Sequence, residues 1–186
     1  MGRKRTIDRN VTMEAIETVV REQGVAGLSI EAVARAAGIS KSSVVYDFAS
    51  KDALLAAFVR QRLERKRAEL DDAAKAHAGR PNAYLHGILD RCTQTPSDED
   101  ISCAMAITAS LSGNSACREM MGERFAEDLG RVLSEADDPG RARLAWVALH
   151  GIMSLEYLGF HTFPPDERGQ LLADISAFLS APTTKT

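Results

Sequence analysis

The chain has 186 residues, 45% hydrophobic and 26% charged, with a net charge of −3; this suits one large or two small domains with a real core and excludes wholesale disorder. Cysteines 92, 103 and 117 are too few and too dispersed for a disulfide framework or a paired-cysteine metal site. The basic start Arg3-Lys4-Arg5 runs into Asp8, Arg9 and Glu14 rather than an apolar segment, and the longest uncharged apolar run, Leu144 to Leu155, falls short of the ~18 residues of a membrane span, so a cytoplasmic protein without membrane contact is expected.

Nearly every segment reads as helix, because Ala, Leu, Glu and Arg dominate and apolar residues recur three and four apart. A first helix is predicted from about 9 to 23, with Ile16, Val19 and Val20 as its stripe and Gly24 as its stop. Ser29 caps a short helix carrying Ile30, Val33, Ala34 and Ala37, which Gly38 ends. Ser40 caps the next, over 41–47. Ser50 opens a long fourth helix, about 51–76, whose stripe is Leu54, Leu55, Phe58, Val59 and Leu63. Further helices are predicted near 81–94, 99–112, 116–136, 139–160 and 165–180. Pro81 and Pro139 suit the first helical turn, and Asp138 suits an N-cap. The fold class is all-α, about nine helices. A three-helix unit over 1–55 is joined through the long fourth helix to a helical body over 56–186.

The net charge hides an asymmetry. Through Arg67 the chain carries 13 Lys and Arg against 8 Asp and Glu; the remainder carries 10 against 18. A basic end on an acidic body suggests an anion-binding module. The segment Ser29 to Lys51, SIEAVARAAGISKSSVVYDFASK, supplies the means. Two short helices meet at a tight Gly-containing turn, as in a helix-turn-helix. Ala34 and Ala37 are small enough for close helix crossing, and Gly38 adopts a positive φ without Cβ strain. Val44 and Phe48, four apart, face inward. That leaves Lys41, Ser42, Ser43, Tyr46 and Asp47 for solvent or DNA, where such a helix enters the major groove. Ser29 and Lys51 begin neighbouring helices, where each could hold a backbone phosphate.

The N-terminal residues resemble the DNA-binding domain of the tetracycline-repressor (TetR) family. The resemblance lies in a first helix ending Glu-Gln-Gly, then Leu28-Ser29, Val33-Ala34, Ala36-Ala37-Gly38-Ile39-Ser40-Lys41, Tyr46, Phe48 and Ser50-Lys51-Asp52-Ala53-Leu54-Leu55. It implies an all-α homodimer with a divergent C-terminal ligand domain and, usually, repression of a palindromic DNA operator relieved by a small apolar effector. Lys41 and Ser42 fall where the family reaches bases, Ser43 and Lys51 where it grips phosphate, and Tyr46 at a position that often reaches DNA. Val45 departs from the family's usual tyrosine; its methyls can only touch a thymine methyl. Asp47 replaces a frequent His or Tyr. The arm Arg3-Lys4-Arg5 reads either as an arm that orders on DNA or enters the minor groove, or as a solvated terminus. The run Arg60, Arg62, Arg65, Lys66, Arg67 reads as a solvated face.

In the body no nucleophile elbow, phosphate-cradling glycine loop or HExxH occurs, so neither enzymatic activity nor a metal or cofactor is expected. On the helix near 139–160, Trp146, Met153, Tyr157 and Phe160 share one face, while Leu144, Ala148, Gly151, Leu155 and Leu158 define another. A helix apolar on two sides needs cover on both, and a second subunit suits one of them. Leu171, Ile175 and Phe178 extend this candidate dimer interface along the last helix. Met105, Leu111, Met120, Met121, Phe125, Trp146 and His150 are candidate ligand-pocket residues, methionine being adaptable to varied apolar compounds. More often such residues are simply core. Two other readings stay open: a helix-turn-helix dimer without an effector, and a helical binding module or small enzyme that keeps the hairpin for packing.

Overall fold

A computed structural model describes residues 9–181. Among the described residues there are nine α-helices and no strand: α1 (Arg9–Gly27), α2 (Ile30–Ala37), α3 (Lys41–Asp47), α4 (Lys51–Lys75), α5 (Ala83–Cys92), α6 (Asp98–Leu111), α7 (Ser115–Ser134), α8 (Pro139–Tyr157) and α9 (Pro165–Ser180). The chain forms two compact units. One holds the described residues up to Arg62 together with Ser102–Met120; the other holds Leu63–Ile101 together with those from Met121 onward.

In the first unit α1 packs on α2 and α2 on α3. Ile16, Val19, Val20, Leu28, Val33, Val44, Phe48, Leu54, Leu55, Phe58 and Val59 are all buried, as the stripes require. Burying each such side chain contributes about 1.5–3 kcal/mol before chain entropy is set against it. Gly24, at φ 66° and ψ −179°, breaks the helix where its stop is expected, and a short helical segment beyond this kink carries α1 to Gly27. Asn114 belongs to this unit: its Nδ2 donates to the Asp52 carbonyl at 3.2 Å, and its Oδ1 accepts from the Cys117 N–H at 3.1 Å.

The second unit has a core of Tyr84, Leu85, Ile88, Cys92, Val132, Ala142, Ala145, Leu149, Ile152, Leu172 and Leu179. Here α5 lies against both α8 and α9, which also pack on each other. Gly87 lets α5 approach α4 closely, since a Cβ there would sit 2.8 Å from the Ala74 nitrogen. Asp138 caps α8 by accepting from the Arg141 N–H at 3.0 Å.

Two sequence expectations change here. Pro81 is not a first-turn residue of α5, because Asn82 follows it with a left-handed φ of 59° and the helix begins at Ala83. Helix α5 is started by a distant residue: the Glu135 carbonyl accepts from Asn82 N–H at 3.0 Å, and its carboxylate accepts from Tyr84 N–H at 2.7 Å. Helix α8 stops at Tyr157, because Leu158 leaves helical angles and Gly159 turns left-handed at φ 68°. Phe160 therefore leaves the face it shares in the heptad pattern and stands 75% exposed.

Charged pairs complete this unit. The Tyr84 hydroxyl donates to Asp128 at 2.6 Å and accepts from Arg124 at 3.0 Å, while the Arg131 guanidinium stacks 4.0 Å from the Tyr84 ring centroid. Burial pushes the Tyr84 hydroxyl well above its ordinary range and raises the Asp128 carboxyl. Between α8 and α9, Arg168 donates to both oxygens of Glu156, at 2.7 and 3.1 Å, and to the Gln94 carbonyl at 3.2 Å.

Candidate nucleic-acid interface

The geometry of α2, the turn and α3 follows from local hydrogen bonds. Ser29 is extended (φ −154°, ψ 161°) and its hydroxyl accepts from Ala32 N–H at 3.1 Å, which starts α2. Gly38 takes φ 64°, ψ 31°, and the Gly38 and Ile39 N–H groups donate back to the Arg35 and Ala34 carbonyls. These bonds satisfy carbonyls that the end of α2 would leave orphaned. Ser40 then caps α3 by accepting from Ser43 N–H at 3.2 Å, and its hydroxyl lies 2.8 Å from that of Ser42 and 2.7 Å from that of Ser43. Ser50 starts α4 in the same way, accepting from Ala53 N–H at 3.1 Å.

Two anchors fix which side of α3 faces out. Val44 is fully buried and Phe48 nearly so. The opposite face presents Lys41, Ser42, Val45, Tyr46 and Asp47, with Tyr46 84% exposed. Ser29 and Ser43 are half-buried, and Lys51 is exposed, its ammonium donating to the Ala26 carbonyl at 3.0 Å. The arm Arg3-Lys4-Arg5 lies outside the described residues. Lys66 and Arg67, from the basic run on α4, are engaged by carboxylates: Lys66 by Glu69 and Asp100, Arg67 by Glu127.

One residue of this surface is not legible as a site residue in the sequence. Glu31, on the first turn of α2, accepts from Lys41 Nζ at 2.7 Å. Ten residues separate them, so no helical spacing announces the contact.

The remaining candidates fall as follows. On α8, Leu144 and Val147 are 63% and 55% exposed, and Ala148, Gly151 and Leu155 are exposed beside them; Leu158 is half-buried beyond the helix end. On α9, Phe178 is exposed, whereas Leu171 and Ile175 pack against the core of the second unit. Met105, Leu111 and Met120 belong to the first unit, Met105 being half exposed. Met121, Phe125, Trp146 and His150 belong to the second. Of these, Phe125, Trp146 and His150 form one aromatic cluster with ring centroids 4.4–6.1 Å apart, all edge-on. The Trp146 Nε1 and His150 Nε2 atoms are buried without a hydrogen-bond partner. Burial holds the His150 imidazole down to about 4, so it is neutral at pH 7. Burial pushes the Cys92 thiol up to about 11 and raises that of Cys117, which makes both poor nucleophiles.

A three-helix unit that turns out a short helix by its apolar anchors, joined to an all-helical body, defines a helix-turn-helix DNA-binding regulator. Residues 11–58 match the family of bacterial regulatory proteins of the tetR type, and residues 78–180 match the tetracyclin repressor-like C-terminal domain. The chain belongs to the TetR family of DNA-binding transcriptional regulators. The fold is shared with the transcriptional regulator SCO7518 of Streptomyces coelicolor A3(2), at a TM-score of 0.74 and 22% identity over 93% of this chain and 98% of that one. A TetR-family regulator of Rhodococcus sp. gives 0.68 and 21%, over 92% and 98%. A Saccharomonospora viridis regulator solved in complex with choline gives 0.68 and 16%, over 89% and 93%. No curated protein matches the sequence. Among the described residues no helix is long and apolar enough to cross a membrane.

Proposed function

We propose that the protein is a repressor that grips a palindromic operator as a homodimer and lets go when a small ligand enters its C-terminal body. The observation that carries the reading is the outward face of α3, where Lys41, Ser42, Val45 and Tyr46 stand exposed while Val44 and Phe48 hold the helix from behind. Two such helices in successive major grooves lie ~34–36 Å apart. Lys51 and the arm Arg3-Lys4-Arg5 supply counterion release, so affinity falls steeply with salt. Ser43 and Lys51 position the protein on phosphates, and Ser29 adds a hydroxyl at the start of α2.

Pairing of subunits is supported by the apolar strip Leu144, Ala148, Gly151 and Leu155, spaced +4, +7 and +11 along α8 and open to solvent in the single chain. Nothing lies within 4 Å of where a Gly151 Cβ would stand, which leaves room for another helix. Phe178 lengthens the strip. The effector reading is supported by the Phe125–Trp146–His150 cluster, whose two unpartnered polar atoms suit a ligand with complementary groups. Choline in the Saccharomonospora viridis regulator makes a small organic ligand reasonable in this body. Such a ligand lowers operator affinity by its preference for the DNA-incompetent form, typically 1–3 kcal/mol.

Duplexes selected by the protein from a random library provide the test. Lys51→Ala and Ser43→Ala should weaken binding to them, and Lys51→Ala should reduce the salt slope by about 0.9 per subunit. Unchanged affinity and slope in both variants would remove this docking.

A further inference from the structure

The Glu31–Lys41 contact places a carboxylate on the surface that meets a polyanion. Both side chains are more than half exposed, 53% for Glu31 and 63% for Lys41, and Nζ to Oε1 is 2.7 Å. The hydrogen bond from Lys41 holds the Glu31 carboxyl below its ordinary range, so it is charged at neutral pH. Exposed ion pairs contribute little to stability, so bracing the turn is a weak reason for an acid here.

We infer that Glu31 is a specificity residue: it keeps Lys41 off the phosphates and commits it to base edges beside a cytosine. The inference rests on the DNA-binding role of α3. A lone lysine is a flexible point charge that any phosphate satisfies, and such contacts carry no sequence information. Tied to Glu31, the same ammonium belongs to a neutral pair and gains little from counterion release on arbitrary DNA. In the major groove the carboxylate loses water and needs a donor in exchange. The matching donor there is the cytosine N4 amino group, and the matching acceptors for Lys41 are guanine O6 and N7. A half-site with guanine before Lys41 and cytosine before Glu31 satisfies both. Any other sequence desolvates the pair without matching its remaining donors and acceptors. Glu31 thereby penalises wrong DNA more than it strengthens right DNA.

The experiment uses the full chain, a duplex selected by the wild type, and a scrambled duplex of equal composition, across 50–200 mM salt. Wild type, Glu31→Gln, Lys41→Gln and the double variant are compared; both sites are exposed, so the fold is retained. Expected for Glu31→Gln is several-fold tighter binding to the scrambled duplex, a selected-to-scrambled ratio reduced about tenfold, and a salt slope on scrambled DNA steeper by about 0.9 per subunit. In the Lys41→Gln background the same substitution should leave the slope alone. Reselection with Glu31→Gln should relax the cytosine position. Equal tightening on both duplexes, or equal steepening without Lys41, would show that Glu31 merely repels phosphate and overturn the inference. Unchanged binding to both duplexes overturns it too.

Discussion

Replacing Arg168 by methionine keeps the length of the side chain and removes its charge. What stays behind is decided by the surroundings. Glu156 loses both of its donors, 2.7 and 3.1 Å away, and the Gln94 carbonyl loses the one at 3.2 Å. The pair is 5–6% exposed, so water does not reach the abandoned carboxylate. Removing one member of a buried pair costs about 3–5 kcal/mol, because the remaining charge has lost its hydration without compensation. For a chain of this size each kcal/mol lowers the melting midpoint by ~2–4 °C, so a drop of about 10 °C is expected. The control is Arg168→Met with Glu156→Leu, which removes both charges. Exchanging a buried pair for apolar groups is often neutral or stabilising, so the double variant should recover most of the loss. Urea unfolding at pH 7, followed by helical circular dichroism, measures all three proteins. If Arg168→Met costs less than about 1 kcal/mol, or if the double variant is no more stable than Arg168→Met, the pair is not the buried clamp described.

His150 gives a pH dependence whose sign is set by its depressed pKa. The folded protein keeps the imidazole neutral down to about 4, whereas the unfolded chain takes up its proton near 6.5. This stability is therefore complete above ~6.5 and declines as pH falls toward 4, by about 2 kcal/mol at pH 5. Urea midpoints at pH 7 and 5 should differ accordingly, and the difference should shrink by about that amount in His150→Phe; a difference as large as the wild type's rules out His150 as a source. Gly87→Ala places a methyl 2.8 Å from the Ala74 nitrogen and 3.0 Å from its Cα. It should destabilise by about 1–3 kcal/mol although alanine is the better helix former, and an unchanged urea midpoint would mean that α4 and α5 shift apart freely. Leu155→Arg puts a charge in the exposed strip of α8. Sedimentation should then report a dimer for the wild type and a monomer for the variant, and a variant dimer that persists would move the interface elsewhere.

Local hydrogen bonding made much of this protein legible before its fold was seen. Ser29, Ser40, Ser50 and Asp138 each cap the helix that follows by reaching an N–H three residues on. That reach depends on nearby residues alone. Gly38 takes the left-handed angle that the turn requires, and Val44 and Phe48 go inward because α3 is helical and they are four apart. The outward set of Lys41, Ser42, Val45 and Tyr46 then follows, and with it the surface proposed for DNA.

Other features depend on residues far apart in the chain. Helix α5 begins where Glu135, 51 residues from Tyr84, supplies its acceptors, so Pro81 misleads. Phe160 departs from its apolar face because Gly159 ends the helix early. Gly87 is needed only because α4 passes against it. Phe125 joins Trp146 and His150, and Arg168 meets Glu156 and Gln94, through packing that no periodicity encodes. The same holds for Glu31 and Lys41, on opposite sides of a turn. Helix spacing and capping specify which side chains share a face within one element; which charges meet across elements, as Glu31 and Lys41 do, depends on how those elements pack.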